Sequence, residues 1–252
     1  MRLLEDTWLL FRNYLTSTLR QPVWIIISLF TPICYLLLFG PLLQNMITGN
    51  APGANALTVF TPGVLVMLGM FGSLFVGFSI IADLRAGIVE RLRVTPVSRL
   101  APLLARALRD ALILLVQCVL LIVVALLMGL KADLLGVFLS LILVIPMGIA
   151  LASFSYAMGL LMKSEDAFAP LLNFLVNPLL LLSGILLPMT LAPGWLQGAA
   201  KISPFYYVVN ATRALFVGDF SDSAVWIGFG LVLVLAALCV YWAASVFRKA
   251  TA

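Results

Sequence analysis

The sequence contains no histidine, only three cysteines, and so few charged residues that they make up 10% of its 252 positions. Each shortage excludes something. Without histidine, the usual zinc sets and histidine-based nucleophilic triads cannot be assembled. Cys34, Cys118 and Cys239 all fall inside apolar runs, where a thiol serves as a small packing residue rather than as a disulfide partner or metal ligand. A soluble domain carries about a quarter charged residues to cover its surface. Far less is present here, while hydrophobic residues reach 63% and mean hydropathy is +1.17. Lipid is the solvent that such a composition demands. No Gly-rich loop ending in Lys-Ser or Lys-Thr occurs, so the chain does not bind ATP in the P-loop manner.

What the sequence does have is long apolar runs. About 20 apolar residues cross the ~30 Å of hydrocarbon in a bilayer. No charge occurs between Arg20 and Asp83, which is too long for one crossing, and the turn-rich segment 44–53 divides it. Spans are expected at about 23–43 and 58–81. A third is expected at 111–130, ended by Lys131 and Asp133, and a fourth at 134–162. At ~1.5 Å per residue the fourth is about 43 Å long, so it must tilt, kink at Pro146 or project beyond the bilayer core. The fifth is expected at about 167–188 and the sixth at 223–247, closed by Arg248 and Lys249. The first apolar run begins after twenty mixed residues and is longer than a signal core, so a span rather than a cleaved leader is expected.

The net charge of +5 would invite nucleic-acid binding in a soluble protein, but the basic residues stand at the ends of apolar runs and no nucleic-acid partner is expected. The N-terminal tail, the segment from Asp83 to Asp110, the turn at Lys163 and the C-terminus hold twelve of the fifteen lysines and arginines. The opposite side holds Lys131, Lys201 and Arg213. By the positive-inside rule the basic side is cytoplasmic, and six spans then place both termini inside. The fold class expected is an all-α integral membrane protein. It has an N-terminal interfacial amphipathic helix (1–22), a six-span domain (23–252), and short re-entrant helices on the outer side before the last span.

Four segments lie outside simple spans. In 1–20, Leu3, Leu4, Trp8, Phe11, Tyr14 and Leu15 recur at helical spacing opposite Arg2, Glu5, Asp6, Arg12 and Asn13, the pattern of a helix lying in the membrane interface. In 83–99, Leu84, Ile88 and Leu92 form an i, i+4, i+8 stripe on a short helix that Thr95-Pro96 stops. Asp83, Arg85, Glu90, Arg91 and Arg93 cover the rest. Such a helix fits a docking surface for a cytoplasmic partner, and equally a solvated loop obeying the charge bias. In the turn Lys163-Ser164-Glu165-Asp166, Ser164 is an N-cap and the acids favour the next helix start. The outer segment 191–222 is too apolar for a free loop and too interrupted for a span. Short helices dipping into the outer leaflet fit it, with Trp195, Tyr206 and Tyr207 at the interface.

Within the spans as delimited there is no acid or base; Asp83 and Asp110 stand at span ends, where neighbouring arginines pair with them. A transporter driven by protons or sodium needs an intramembrane carboxylate or ion site, and an intramembrane enzyme finds no chemistry here. The polar intramembrane residues are mild: Gln117, Ser153, Ser155, Tyr156, Asn173, Asn177 and Ser183. Individually they read as interhelical hydrogen bonds. Gln117, Tyr156, Asn173 and Asn177 together are candidates for lining the pathway of an amphipathic substrate, whose energy would then come from a separate subunit.

At this point the chain resembles the permease subunits of ABC type-2 exporters, the family of daunorubicin-resistance, nodulation-factor and polysaccharide export permeases. The segment from Gly87 through Glu90-Arg91-Leu92-Arg93-Val94-Thr95-Pro96-Val97-Ser98-Arg99 is similar to the family's Glu-Arg-Leu…Thr-Pro-Val-Ser run, although Arg85-Ala86 replaces an acidic and a small residue. Pro193-Gly194-Trp195-Leu196, Ser203-Pro204-Phe205-Tyr206-Tyr207 and Arg213 are similar to its outer region. Arg20-Gln21-Pro22 and 38–43 look closest to the drug-resistance branch. The resemblance implies two permease copies beside two copies of a separate ATP-binding subunit, on which ATP and magnesium would sit. This chain would hold no cofactor or metal and catalyse nothing itself. Asp83, Arg85, Glu90, Arg91, Leu92, Arg93, Thr95 and Pro96, within a coupling region 83–104, would contact that subunit, with the N-terminal helix. Trp195, Pro204, Tyr206, Tyr207 and Arg213 would form the outer re-entrant region 191–222. The expected cargo is a drug-like compound or a lipid, exported across a bacterial plasma membrane. The alternatives are export of a lipid-linked glycan and a structural or regulatory membrane subunit without transport.

Overall fold

A computed structural model describes residues 2–20, 23–48, 55–88, 100–186, 189 and 192–250. The described residues are almost wholly helical and contain no strand. Six helical segments are long and apolar enough to cross a membrane, as the composition required.

Helix α1 (Arg2–Leu19) lies against α5 (Ala101–Leu127). Thr7, Leu10, Tyr14 and Thr18 form its inward stripe, while Leu4, Trp8 and Leu19 remain exposed. One apolar face is thus packed against protein while other apolar residues stay exposed, a division that amphipathic spacing alone does not distinguish. The first span, α2 (Val23–Thr48), packs on α3 (Ala56–Leu74). It continues five residues past the expected end at 43, into the segment read as a turn. Asn55 caps α3 by accepting from the Leu57 amide, and its own amide donates to the Gly129 carbonyl at 2.8 Å.

The second span is not one helix. It breaks at Phe75-Val76 and resumes as α4 (Gly77–Arg85). The break exposes backbone groups that lipid could not satisfy. Ser155 of α6 (Leu134–Met162) fills it, accepting from the Gly77 amide at 2.9 Å and donating to the Leu74 carbonyl. After Arg85 the stripe expected from Leu84, Ile88 and Leu92 is interrupted. Ala86-Gly87 form a turn with Gly87 at φ 68°, so Leu84 and Ile88 do not share one helical face. Residues 89–99, carrying the remainder of that stripe, lie outside the described residues.

Helix α5 begins at Ala101, ten residues before the expected start of the third span. Helix α6 has the expected bounds, with Asp133 capping it through the Gly136 amide at 2.8 Å and Lys163 in the left-handed region at its end. Helix α7 (Glu165–Leu182) follows. Ser164 is its N-cap residue, but its side chain makes no capping bond, and Glu165 instead pairs with Arg85 at 3.1 Å. Helix α8 (Gly194–Ala200) and helix α9 (Pro204–Val217) follow α7, and α10 (Ser223–Ala250) is the last span.

The core is α3, α6 and α9, with α10 along α6 and α9. Small residues allow the close approach. A Cβ on Gly136 would collide with the Leu215 carbonyl of α9, and one on Gly63 with the Ile185 carbonyl. Helix α9 has 14 residues, about 21 Å of helix, too short for a crossing. It is nevertheless embedded, burying Phe205, Val208, Val209, Ala211, Thr212, Leu215 and Phe216. Cys118 is buried, Cys34 and Cys239 are half-buried, and all three are free thiols.

Candidate functional site

The principal polar assembly forms where α1, α4, α5 and α6 meet. Arg106, on the first turns of α5, is 1% exposed and among the largest fully buried side chains. Its Nη2 donates to Asp83 Oδ2 on α4. The guanidinium lies over the Tyr14 ring of α1, 4.7 Å from its centroid, and 5.8 Å from that of Tyr156 on α6. One helical turn on, Arg109 chelates Asp110 Oδ1 through Nε at 3.0 Å and Nη2 at 2.7 Å, and donates to Tyr156 Oη at 2.9 Å. Tyr156 Oη in turn donates to Asp110 Oδ2. The network thus joins two arginines, two aspartates and two tyrosines from four helices.

The network lies ahead of the span expected at 111–130, on the first turns of α5 and the last turn of α4. Starting α5 at Ala101 places Arg106, Arg109 and Asp110 within an apolar helix. Both aspartates do find arginine partners, but under cover rather than in water. The magnitudes separate this junction from the exposed Arg85–Glu165 pair. A surface ion pair contributes about 0–1 kcal/mol, whereas removing one partner of a buried pair costs about 3–5 kcal/mol. Arg106 Nε has no hydrogen-bond acceptor among the described residues, so the Asp83 carboxylate and the aromatic faces supply its compensation.

Of the coupling residues expected from sequence, Asp83 and Arg85 close α4, with Asp83 turned into the junction and Arg85 exposed. Glu90, Arg91, Leu92, Arg93, Thr95 and Pro96 lie outside the described residues. The four pathway candidates do not share one environment. Gln117 is buried and donates to Ser28 Oγ of α2 at 2.7 Å. Tyr156 is buried in the junction. Asn173 and Asn177 are exposed on α7, where Asn173 donates to the Ala169 carbonyl of its own helix at 3.0 Å.

At the opposite end, Arg213 of α9 donates to three carbonyls: Val59 at 3.1 Å, Gly184 at 2.8 Å and Ile185 at 3.4 Å. It ties α9 to the start of α3 and to the bend after α7. Burial lowers the pKa of its guanidinium, to about 10. Pro204 is at the first position of α9, Tyr206 and Tyr207 meet edge to face, and Tyr207 Oη donates to the Lys201 carbonyl at 3.1 Å. Trp195 is exposed on α8. Among the described residues no three histidine, cysteine or carboxylate side chains converge as metal ligands.

The described residues thus form a six-span helical bundle with a buried charged junction at one end and a short helix packed into the other. The family described as "ABC-2 type transporter" matches residues 5–217. The chain belongs to that family. This ABC-2 permease is similar to the "Daunorubicin resistance ABC transporter permease protein DrrB1" of Streptomyces coeruleorubidus, at 27% identity over 218 residues, covering 86% of this chain and 75% of that protein. It is similar to the "Putative transport permease ycf38" of Cyanophora paradoxa at 27% over 220 residues, 84% of this chain and 74% of the relative. The ycf38 protein of Pyropia yezoensis is 28% identical over 243 residues, 90% and 80% of the two chains. The family match over residues 5–217 includes the whole junction, from Tyr14 to Tyr156. Sequence reasoning did not single out Arg106 and Arg109, which the structure brings into this network. The available signal was spacing: Arg106 stands three residues before Arg109 and four before Asp110, directly ahead of an apolar run.

Proposed function

We propose that this permease is the membrane-spanning subunit of an ATP-driven exporter of hydrophobic or amphipathic compounds, drug-like molecules or lipids, from the cytoplasm or inner leaflet. Similarity across most of the chain to a daunorubicin resistance permease carries this reading. A chain with no nucleotide-binding loop needs energy from outside, and the region 83–104 is the surface proposed to receive it. ATP and magnesium would be held by two copies of a separate ATP-binding subunit. The permease itself would hold no cofactor.

A second permease copy completes the proposed assembly. Helix α7 presents Asn173, Phe174, Asn177 and Leu181 outward. Amides facing hydrocarbon are costly, whereas amides between helices are satisfied, which supports a partner helix on that face. The charge bias supports placing α1, the junction and both termini on the cytoplasmic side. Helices α8 and α9 would then dip into the outer leaflet around Trp195, Pro204, Tyr206, Tyr207 and Arg213. The proposed location is a multi-pass plasma membrane protein of a bacterium.

Copurification from membranes with a candidate ATP-binding subunit, followed by ATP hydrolysis measured in lipid, tests the proposal. The expected result is a one-to-one complex whose hydrolysis accelerates with hydrophobic compounds. Association with no ATP-binding subunit would overturn the exporter reading. Stimulation by lipid-linked glycans instead of drug-like compounds would reassign the cargo.

A further inference from the structure

We infer that Arg106 is the positioning residue through which displacement of the segment following α4 reaches α1 and α6. This rests on the proposal that region 83–104 meets an ATP-binding subunit.

Asp83 occupies the last turn of α4, just before the chain leaves towards 89–99. A displacement passed through the Ala86-Gly87 turn reaches the last turn of α4, and Asp83 with it. The Asp83 carboxylate is only partly covered, but Arg106 is almost wholly buried, so the two cannot separate without stranding a cation inside apolar surroundings. Arg106 therefore follows Asp83, or exchanges it for Asp110, four residues ahead on its own helix and therefore on the same face. Either response disturbs the Tyr14 ring stacked on the guanidinium, and with it the contact of α1 on α5. The second response also draws Asp110 away from Arg109 and Tyr156, and so reaches α6. The exposed Arg85–Glu165 pair beside it can stretch into water and transmits little. The link is thus a contiguous chain of packed and bonded groups, the kind of network through which distant elements can be coupled.

The test uses Asp83→Asn, which keeps the shape and removes the charge, in two preparations. In the permease alone in lipid nanodiscs, backbone hydrogen exchange is read in α1, α4 and α9. Loss of the charge is expected to speed exchange in α1 by about tenfold, although Asp83 does not belong to α1, and to leave α9 unchanged. Faster exchange confined to α4 would overturn the inference. In the complex with its ATP-binding subunit, a non-hydrolysable ATP analogue is expected to change α1 exchange in the wild type. The change should be absent in Asp83→Asn, although ATP hydrolysis continues, and should return in the reversed pair Asp83→Arg with Arg106→Asp. An unaltered nucleotide response in Asp83→Asn would overturn the inference. If the wild-type chain binds no ATP-binding subunit, the exporter reading fails, while the nanodisc measurement still decides whether Arg106 links Asp83 to α1.

Discussion

Two buried side chains with similar polar chemistry are held in unequal ways. Tyr156 both donates to Asp110 and accepts from Arg109. Its phenylalanine variant would leave a buried carboxylate short of a donor and a guanidinium short of an acceptor. Tyr156→Phe is expected to cost about 1–3 kcal/mol, read as a lowered thermal midpoint of the detergent-solubilised protein with insertion unchanged. Gln117 bonds to Ser28, whose hydroxyl also donates to the Ile25 carbonyl at 2.9 Å. Ser28 keeps a partner when the glutamine goes, so Gln117→Leu is expected to shift the midpoint much less. Equal effects at the two positions would contradict this ranking of their partners. The junction was half legible in sequence. That Asp83 and Asp110 would find arginines followed from their neighbours, but which arginine, and that Tyr14 and Tyr156 enclose them, depends on helices far apart in the chain.

Whether an element is continuous is decided by what its neighbours can supply. The apolar run 58–81 reads as one span because hydropathy does not register a broken backbone. The break at Phe75-Val76 survives because Ser155 arrives from α6 to satisfy it, and nothing local to the run announces that. The first turns of α5 escape a sequence reading for the opposite reason: charges at 106, 109 and 110 look like a loop until a partner is found for each. Close packing supplies a sharp test. Gly136→Ala puts a methyl against the Leu215 carbonyl, a rigid backbone atom, and overpacking of this kind costs about 1–3 kcal/mol. A large fall in thermal midpoint is expected, whereas Gly198→Ala on α8, where a Cβ meets nothing within 4 Å, should be neutral. A tolerated Gly136→Ala would mean that α6 and α9 do not pack this closely.

At the scale of the molecule, the distribution of charge and of exposed apolar surface makes the topology measurable. Cysteines introduced at Asn13, Lys163 and Lys249 are expected to resist a membrane-impermeant maleimide in intact cells. Those at Lys131, Lys201 and Asp219 are expected to react. The reverse pattern would invert the proposed orientation and with it the direction of export. Leu120 is exposed on α5, so Leu120→Arg places a charge against lipid, at about 2.5–3.5 kcal/mol near a span centre. Reduced insertion is expected in a membrane-extraction assay, and normal insertion would remove that face of α5 from the bilayer.

Composition and periodicity by themselves determined that the chain lives in a membrane, that it crosses six times, and that it opens with an amphipathic helix. Those properties are sums over twenty-residue windows, and a bilayer reads them in the same way. Residues 87–99 and 193–213 were enough to point to the ABC-2 transporter family. Only the tertiary structure decided that α3 and α4 are separate helices, that α9 belongs to the core, and that Arg106 carries a buried charge between four elements. Each of these depends on a partner between 23 and 154 residues away. No local pattern encodes such a meeting, because the desolvation of an arginine is settled by whichever carboxylate and rings happen to surround it.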